Sequence, residues 1–391
     1  MITRWTAPAV KALRIALRMN QTKFARQVGY SQRTVSGWER GQYGINTTAQ
    51  LALDEVYATL DPMALARFEV LAEEDDVDRR SFLKTAALAG TVGLSAPTVT
   101  PMSIDRLRQT VHSLILLEDS VGSTTAKPLI DTMARTCTSL LRYCPELLKP
   151  ELSRVTAEAV ASSAYAAWDQ KDPQLADRLF RQAYEHAENS GDTDMQAGIL
   201  VDRNHLAVGT HRYADASDYA DGALAIRVHD PRMADLAALC AARAYAYANR
   251  RRDARIQLDA VSGDLEPPTT PDQSYAYLVA PWFAFSITSS VLEVTGDRRG
   301  AAEALEKSLP LISPYRVREQ ATTLLRLARL TAPQDLDRAA DAAKQAVQLA
   351  RKNTSPRLWE DYRQTRQLLS PWDGSRALHE LDIVAEEVLS N

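Results

Sequence analysis

The stretch Ser31-Gln-Arg-Thr-Val-Ser-Gly-Trp-Glu-Arg-Gly41 concentrates hydrogen-bonding side chains on one side of a short helical pattern. Gln32, Arg33, Thr34 and Ser36 form the polar side, and Val35 and Trp38 are the apolar anchors. A glutamine matches the N6/N7 edge of adenine, and an arginine matches the O6/N7 edge of guanine. The preceding run, Asn20 to Gly29, predicts a second short helix, with Asn20 or Thr22 as cap, Phe24, Ala25 and Val28 facing inward and Gly29 as stop. Two short helices joined by Val28-Gly-Tyr-Ser31 have helix-turn-helix geometry. In it the second helix aims its N-terminal side chains at the major groove, while the first offers its N-terminal N–H groups to phosphate.

Elsewhere the residue types argue against catalysis. Ala89-Gly-Thr-Val-Gly93 lacks the lysine of a phosphate loop, and no Gly-x-Ser-x-Gly elbow presents a serine. His379-Glu-Leu-Asp-Ile-Val-Ala-Glu-Glu387 lacks the second histidine that would complete a zinc helix. His205 and His211 stand six apart with no cysteine at ligand spacing, and they read as surface or groove histidines. Cys137, Cys144 and Cys240 form no Cys-x-x-Cys pair; they read as buried thiols of a reducing cytoplasm, the first two able to share a helix face. The expectation is a protein without catalytic residues, metal or cofactor.

The elements that must position the polar face come next. Alanine, leucine, arginine, glutamate and glutamine dominate, and all favour helix. With aromatics at 7% and little Val-Ile-Thr alternation, the predicted class is all-α. Pro8 opens a first helix and Thr48–Leu60 supplies a fourth, so that four helices share one small core. Residues 1–50 carry eight Lys/Arg against one acid, Glu39, whereas residues 51–80 carry nine acids against three arginines. A basic front on an acidic body suits a polyanionic partner.

These residues carry a resemblance. Asn20 to Gly41 resembles the helix-turn-helix of the XRE (lambda-repressor/Cro-like) family, with Gln21 opening the second helix, Ala25 on its inner face, the turn glycine Gly29 and the run Ser-x-x-Thr-Val-Ser-x-Trp-Glu-x-Gly. The resemblance covers about residues 8–60. It implies that Gln21 and Thr22 touch phosphate, that Gln32, Arg33 and Ser36 face bases, and that Glu39 bonds back to the domain. With Ser31, Thr34 and Arg40, these make up the expected DNA-binding set. Gly37 departs from the family, because many relatives carry a further base-contacting side chain there; its absence would shorten the readout or admit a close backbone approach.

The domain plan is a helix-turn-helix unit over 1–70, an acidic hinge and connector helix over 71–101, and a helical body over 102–391. Within the connector, Asp78-Arg-Arg-Ser-Phe-Leu-Lys84 and the apolar run after it resemble a twin-arginine export signal. The run is shorter than the ~20 residues of a membrane span and follows a complete DNA-binding unit, so a connector is expected; initiation near Arg79 would instead give an exported protein without its head.

From Met102 onward, Gly, Pro and Asp-Pro breaks separate helical segments of about 15–25 residues. Small residues recur at helical spacing, led by Ala176, Ala216, Ala254, Ala301 and Ala339, which stand 40, 38, 47 and 38 residues apart. Together with the turns His211-Arg-Tyr-Ala-Asp-Ala and Gly296-Asp-Arg-Arg-Gly-Ala, this resembles a degenerate tetratricopeptide (TPR) array, an α-solenoid of helix pairs. Such a stack implies atypical capping helices near 102–145 and 356–390 and a concave groove lined by the first helix of each pair. Leu278–Leu292, the most apolar run, reads as a central core helix. Counting back eleven from the leading alanines places His205, Arg243 and Ser290 in the groove, with Asp202, Tyr247 and Ser286 beside them. That mixture suits a peptide or a small polar ligand.

The whole is similar in plan to XRE-head, TPR-body regulators such as the RRNPP group. It implies a cytoplasmic homodimer on double-stranded operator DNA, an inverted repeat, with a peptide or small-molecule effector and no membrane. A TPR protein–protein adaptor with an auxiliary head is the alternative.

Overall fold

A computed structural model describes residues 5–17, 19–58, 68, 99–261, 275 and 280–389. The chain divides into two compact units, Met1–Ser95 and Ala96–Asn391. The acidic hinge and the export-like segment lie outside the described residues, as does all of the proposed connector before Val99. Among the described residues the secondary structure is helical, with no strand.

The first unit holds α1 (Ala7–Ala16), α2 (Gln21–Gln27), α3 (Gln32–Glu39) and α4 (Thr47–Ala58). Thr6 caps α1 by accepting from the Ala9 N–H, with a proline in the first turn; Asn20 caps α2 and Ser31 caps α3. Gly29 and Gly41, both at positive φ, follow the ends of α2 and α3. Val10, Leu13, Phe24, Val28, Val35, Trp38, Leu53 and Val56 form one buried core. Fully burying a side chain the size of Phe24 stabilises the unit by about 1.5–3 kcal/mol. Trp5 extends this core: its indole packs on Tyr57 and Phe68 and donates to Asp54 at 2.8 Å.

The second unit holds fourteen helices among its described residues: α5 (Pro101–Val121), α6 (Ser123–Leu140), α7 (Lys149–Asp169), α8 (Pro173–Ser190), α9 (Thr193–Gly209), α10 (Tyr213–Ala225), α11 (Pro231–Tyr247), α12 (Arg251–Asp259), α13 (Pro281–Thr295), α14 (Arg298–Ser308), α15 (Val317–Thr331), α16 (Leu336–Ala350), α17 (Pro356–Leu368) and α18 (Arg376–Leu389). From α5 to α16 they pack as successive pairs, each pair against the next, and α17 and α18 both pack on α16. The leading alanines lie on the second helix of their pairs and are all buried, which lets the two helices of a pair approach closely. α6 ends at Leu140, so Cys144 lies in the turn beyond it instead of sharing a face with Cys137. All three cysteines are free and buried, and burial pushes the Cys137 thiol up to about 12.

Four pairs turn in the same way. Lys171, His211, Asn249 and Gly296 each have positive φ, and the following residue donates its N–H back into the first helix: Asp172 to Ala167 (2.9 Å), Arg212 to Ala207 (2.8 Å), Arg250 to Tyr245 (2.7 Å) and Asp297 to Leu292 (2.8 Å). This is the Schellman closure, which satisfies carbonyls left open at a helix end.

The ends of the stack are not simply capped, as expected, but joined. α5 packs on α15, and α17 on α7. Thr354 donates its N–H to the Val121 carbonyl at 2.8 Å, Thr124 donates to the Thr354 carbonyl at 2.7 Å, and Asn353 donates to the Asp119 carbonyl at 3.0 Å. Gly122, at φ +87°, makes the approach possible: a Cβ there would lie 2.5 Å from Asn353 Oδ1 and 2.6 Å from Thr354 N.

Candidate nucleic-acid interface and ligand cavity

In the first unit, α3 is anchored from beneath by buried Val35 and Trp38, the latter in edge contact with Tyr30. Glu39, with its side chain only 6% exposed, accepts from Arg14 Nε at 2.5 Å and from Gln21 Nε2 at 2.7 Å. Arg14 also reaches the Met19 carbonyl at 3.0 Å. One carboxylate thus fastens α1, α2 and α3 together, the back-bonding expected of Glu39. Gln32, Arg33 and Thr22 are exposed, and Ser36 and Gln21 are half-buried. Ser31 and Thr34 are engaged with one another: their hydroxyls lie 2.8 Å apart, and Ser31 Oγ accepts the Thr34 N–H. Arg40 folds back, its Nε donating to the Ser36 carbonyl at 3.1 Å. Gln21 has one amide hydrogen committed to Glu39. Gln32 and Arg33 therefore stand out as the long side chains of α3 whose polar ends are exposed.

The departure at Gly37 has a steric cause. A Cβ there would lie 2.0 Å from Tyr43 Cδ2, so the missing side chain makes room for the Tyr43 ring. Tyr43 is itself 46% exposed.

Residues 10–57 match the helix-turn-helix family model. That match covers α2, α3 and the turn between them, the elements that hold Gln32 and Arg33. No curated protein matches the chain. Among solved structures, BtubC (BKLC) from P. vanneervenii is similar at 14% identity and a TM-score of 0.35, over 64% of this chain and 92% of that one. At that score the likeness says nothing about function.

The second unit contains a half-open cavity of about 690 Å³. Its walls come mostly from the first helices of the pairs, α5, α7, α9, α11, α13 and α15, and from α17. The expected concave groove, lined by the first helix of each pair, thus takes the form of a half-open cavity, bounded where the ends of the stack meet. Helix α9 presents Asp202, His205 and Gly209 to it, with Gly198 one turn earlier on the same face. A Cβ at Gly198 would lie 2.1 Å from the Tyr275 ring, and one at Gly209 would lie 2.3 Å from Trp168. The two glycines let aromatic rings rest on α9 on either side of the polar pair.

Asp202 is buried, and its carboxylate accepts from Tyr165 (2.8 Å) and Tyr275 (2.5 Å). Burial pushes it up to about 7, against those two hydroxyls. Burial also holds His205 well below the usual imidazole range, and Arg243 adds to that effect. Trp168, His205 and Phe283 form a file with ring centroids 6.0 Å apart.

The remaining four expected groove residues do not line the cavity. Arg243 stands behind His205, 3.5 Å away. Tyr247 stacks on Tyr213. Ser286 and Ser290 accept from Arg326 at 2.9 and 2.8 Å. Counting a fixed interval back from each alanine assumes one turn length and one helix rotation, whereas the spacing changes from 38 to 47 before α14. The run Leu278–Leu292 was expected to be a core helix. Its described part is helix α13, with Ile287 and Val291 buried in the core as expected, Trp282 and Phe283 on the cavity wall, and Ser286 and Ser290 bonded to Arg326.

The cavity's other wall is ionic, and spacing gave no sign of it. Arg318, buried, pairs with Glu118, with Asp119 at 2.9 Å and with Asp169 at 3.6 Å. Arg316 pairs with Asp119 at 2.6 Å. Arg357 lies 3.4 Å from Asp169 and 4.0 Å above the Trp168 ring. Burial opposes the Asp169 charge, but Arg318, Arg357 and the hydroxyls of Ser123 and Ser355 outweigh it and hold the carboxyl below its usual range. These partners lie 46 to 200 residues apart in sequence. Among the described residues no group of three or more His, Cys, Asp and Glu could hold a metal, and no helix is long and apolar enough to cross a membrane.

Proposed function

We propose that the chain is a sequence-specific DNA-binding transcriptional regulator, its first unit reading a double-stranded operator and its second a TPR-like body that dimerises and senses an effector. The observation that carries the reading is the exposure of Gln32 and Arg33 at the front of α3, on a helix fixed by Val35, Trp38 and the Glu39 clamp, within residues that match the helix-turn-helix family model. Gln32 reads adenine, Arg33 reads guanine, Ser36 reaches a base edge, and Gln21 and Thr22 meet phosphate. Ser31, Thr34 and Arg40 contribute chiefly by holding the start and end of α3.

So small a head makes few phosphate contacts, and useful affinity needs two heads on the two halves of an inverted repeat. The helical body supplies the pairing, and its cavity the effector site, for a peptide or a small molecule. An effector changes DNA binding only as far as it binds two arrangements of the heads with different affinity. The protein works in the cytoplasm, without a cofactor and without enzymatic activity.

Genome-wide mapping of bound DNA, followed by binding to the enriched site in vitro, tests the reading. An inverted repeat is expected, with affinity falling steeply as salt rises. Gln32→Ala and Arg33→Ala should each remove about 1–3 kcal/mol of discrimination at one base pair of the half-site. Equal, weak affinity for every duplex refutes it.

A further inference from the structure

The cavity wall is rich in charge, yet its cations are already matched. Arg316 and Arg318 face Glu118 and Asp119, Arg357 faces Asp169, Arg329 faces Asp361 at 2.5 Å, and Lys171 faces Glu360 at 3.1 Å. Asp202 is different. It is 5% exposed and lines the cavity, and among the described residues no Lys, Arg or His nitrogen lies within ion-pairing distance of it; only two tyrosine hydroxyls serve it. A carboxylate offers about four lone-pair positions, so two remain. Tyr165 and Tyr275 stand against it, and Trp168 and Phe283 flank His205 one turn further along α9, rings whose faces and edges favour an apolar or cationic guest. A volume of about 690 Å³ falls in the range of small-molecule sites, roughly 300–1,000 Å³. The joined ends of the helix stack bound it on one side.

We propose that this cavity binds a small organic amine, its ammonium against the Asp202 carboxylate and its apolar part among Tyr165, Trp168, Tyr275 and Phe283. This rests on the reading of the helical body as an effector sensor and names the class of effector. An anionic guest would meet Asp202 and Glu158 with like charge. A neutral guest would leave the buried carboxylate without a counter-charge, a costly state. An ammonium supplies that charge, and the remaining lone pairs accept its hydrogens.

The titratable groups beside Asp202 are Glu158 and Tyr165 from α7, Cys240 from α11, Tyr275, and His205 one turn along its own helix, with Arg243 standing behind His205. Burial keeps His205 neutral and the Tyr165 and Cys240 protons in place near neutral pH. The pH dependence of amine binding is therefore set mainly by Asp202, with Glu158 raising its proton affinity. Below about pH 7 the carboxyl is increasingly protonated and its attraction for a cation fades.

Calorimetric titration of the full chain with 2-phenylethylamine, 2-phenylethanol and phenylacetate tests the proposal. At about pH 8 the amine should bind at least about tenfold more tightly than the alcohol, with the acid weakest. At about pH 6 the amine's advantage should shrink several-fold while the alcohol holds steady. Asp202→Asn should remove the preference for the amine and leave alcohol binding; should that variant fail to fold, the pH series on the unaltered chain decides. The proposal is overturned if amine and alcohol bind alike at about pH 8, if the preference is indifferent to pH, or if none of the three binds at concentrations of roughly 10 mM. Operator selection is measured on the same protein in parallel. Intact DNA selection without amine binding sinks this inference alone, whereas amine binding without DNA selection sinks the regulator reading and leaves the cavity's ligand class standing.

Discussion

At the scale of the residue, small changes of shape and charge have defined consequences. Gly37 and Tyr43 share one space, so Gly37→Ala must displace the ring. Overpacking of this kind costs about 1–3 kcal/mol, and the cost should vanish in a Tyr43→Ala background. Urea unfolding of the four variants of that cycle checks it, and additive effects would refute the steric account. Asp202 and His205, one turn apart on α9, pull stability in opposite directions with pH. Asp202 binds its proton more tightly folded than unfolded, since its carboxyl is raised to about 7. Its contribution is present at low pH and is lost as pH rises from about 4 through 7. His205 is lowered by burial, so its contribution is present above about pH 6.5 and is lost on acidification. Between about pH 5 and pH 7.5, Asp202→Asn should therefore steepen the acid-side loss of stability, and His205→Gln should flatten it. Chemical denaturation at both pH values reads the two slopes; equal slopes in all three proteins would mean that neither shift is real.

At the scale of the element, the four matching turns give a graded test. A side chain at positive φ is strained by about 1 kcal/mol or more, Asn less than others, and glycine not at all. His211→Gly should stabilise the body by up to about 1 kcal/mol after loss of the His211–Tyr213 contact, Asn249→Gly should gain less, and Gly296→Ala should lose about 1 kcal/mol. Thermal unfolding ranks them, and the order is the prediction. The head was legible because its signals are local: Asn20 and Ser31 as caps, Gly29 and Gly41 as stops, and Val35 and Trp38 as anchors all act within a few residues of themselves. The repeat was legible through its alanines for the same reason, since close pairing demands a small residue at fixed spacing. What escaped was what depends on the path between elements. Trp5 reaches Asp54 across 49 residues, and nothing near either residue announces the other. The groove assignment kept Asp202 and His205 on one face of one helix but lost Arg243, Tyr247, Ser286 and Ser290, because helix rotation in later pairs depends on packing that no interval encodes. Gly198 and Gly209 were passed over for the same reason: each is defined by a ring arriving from elsewhere in the chain.

At the scale of the whole body, the decisive feature is that a stack of helix pairs is closed upon itself at one junction. Repeat stacks owe their stability to neighbouring contacts, so a junction between first and last elements is an added constraint, not a condition for the middle pairs to fold. The junction is built from Gly122, the 353–355 segment and the Arg318 cluster with Glu118, Asp119 and Asp169. Gly122→Ala strikes it without altering any charge, by placing a methyl group against Asn353 and Thr354. Arg318→Ala strikes it electrostatically, stranding buried carboxylates at a cost on the order of 3–5 kcal/mol. Both should raise hydrogen exchange in residues 119–125 and 353–358 while α9 to α11 keep their protection, because those pairs retain their own neighbours. Both should also weaken whatever the cavity holds, since its ionic wall is the junction itself. If protection falls uniformly from α5 to α18 in either variant, the body unfolds as one block, and the junction cannot be the part that opens when a ligand enters or leaves.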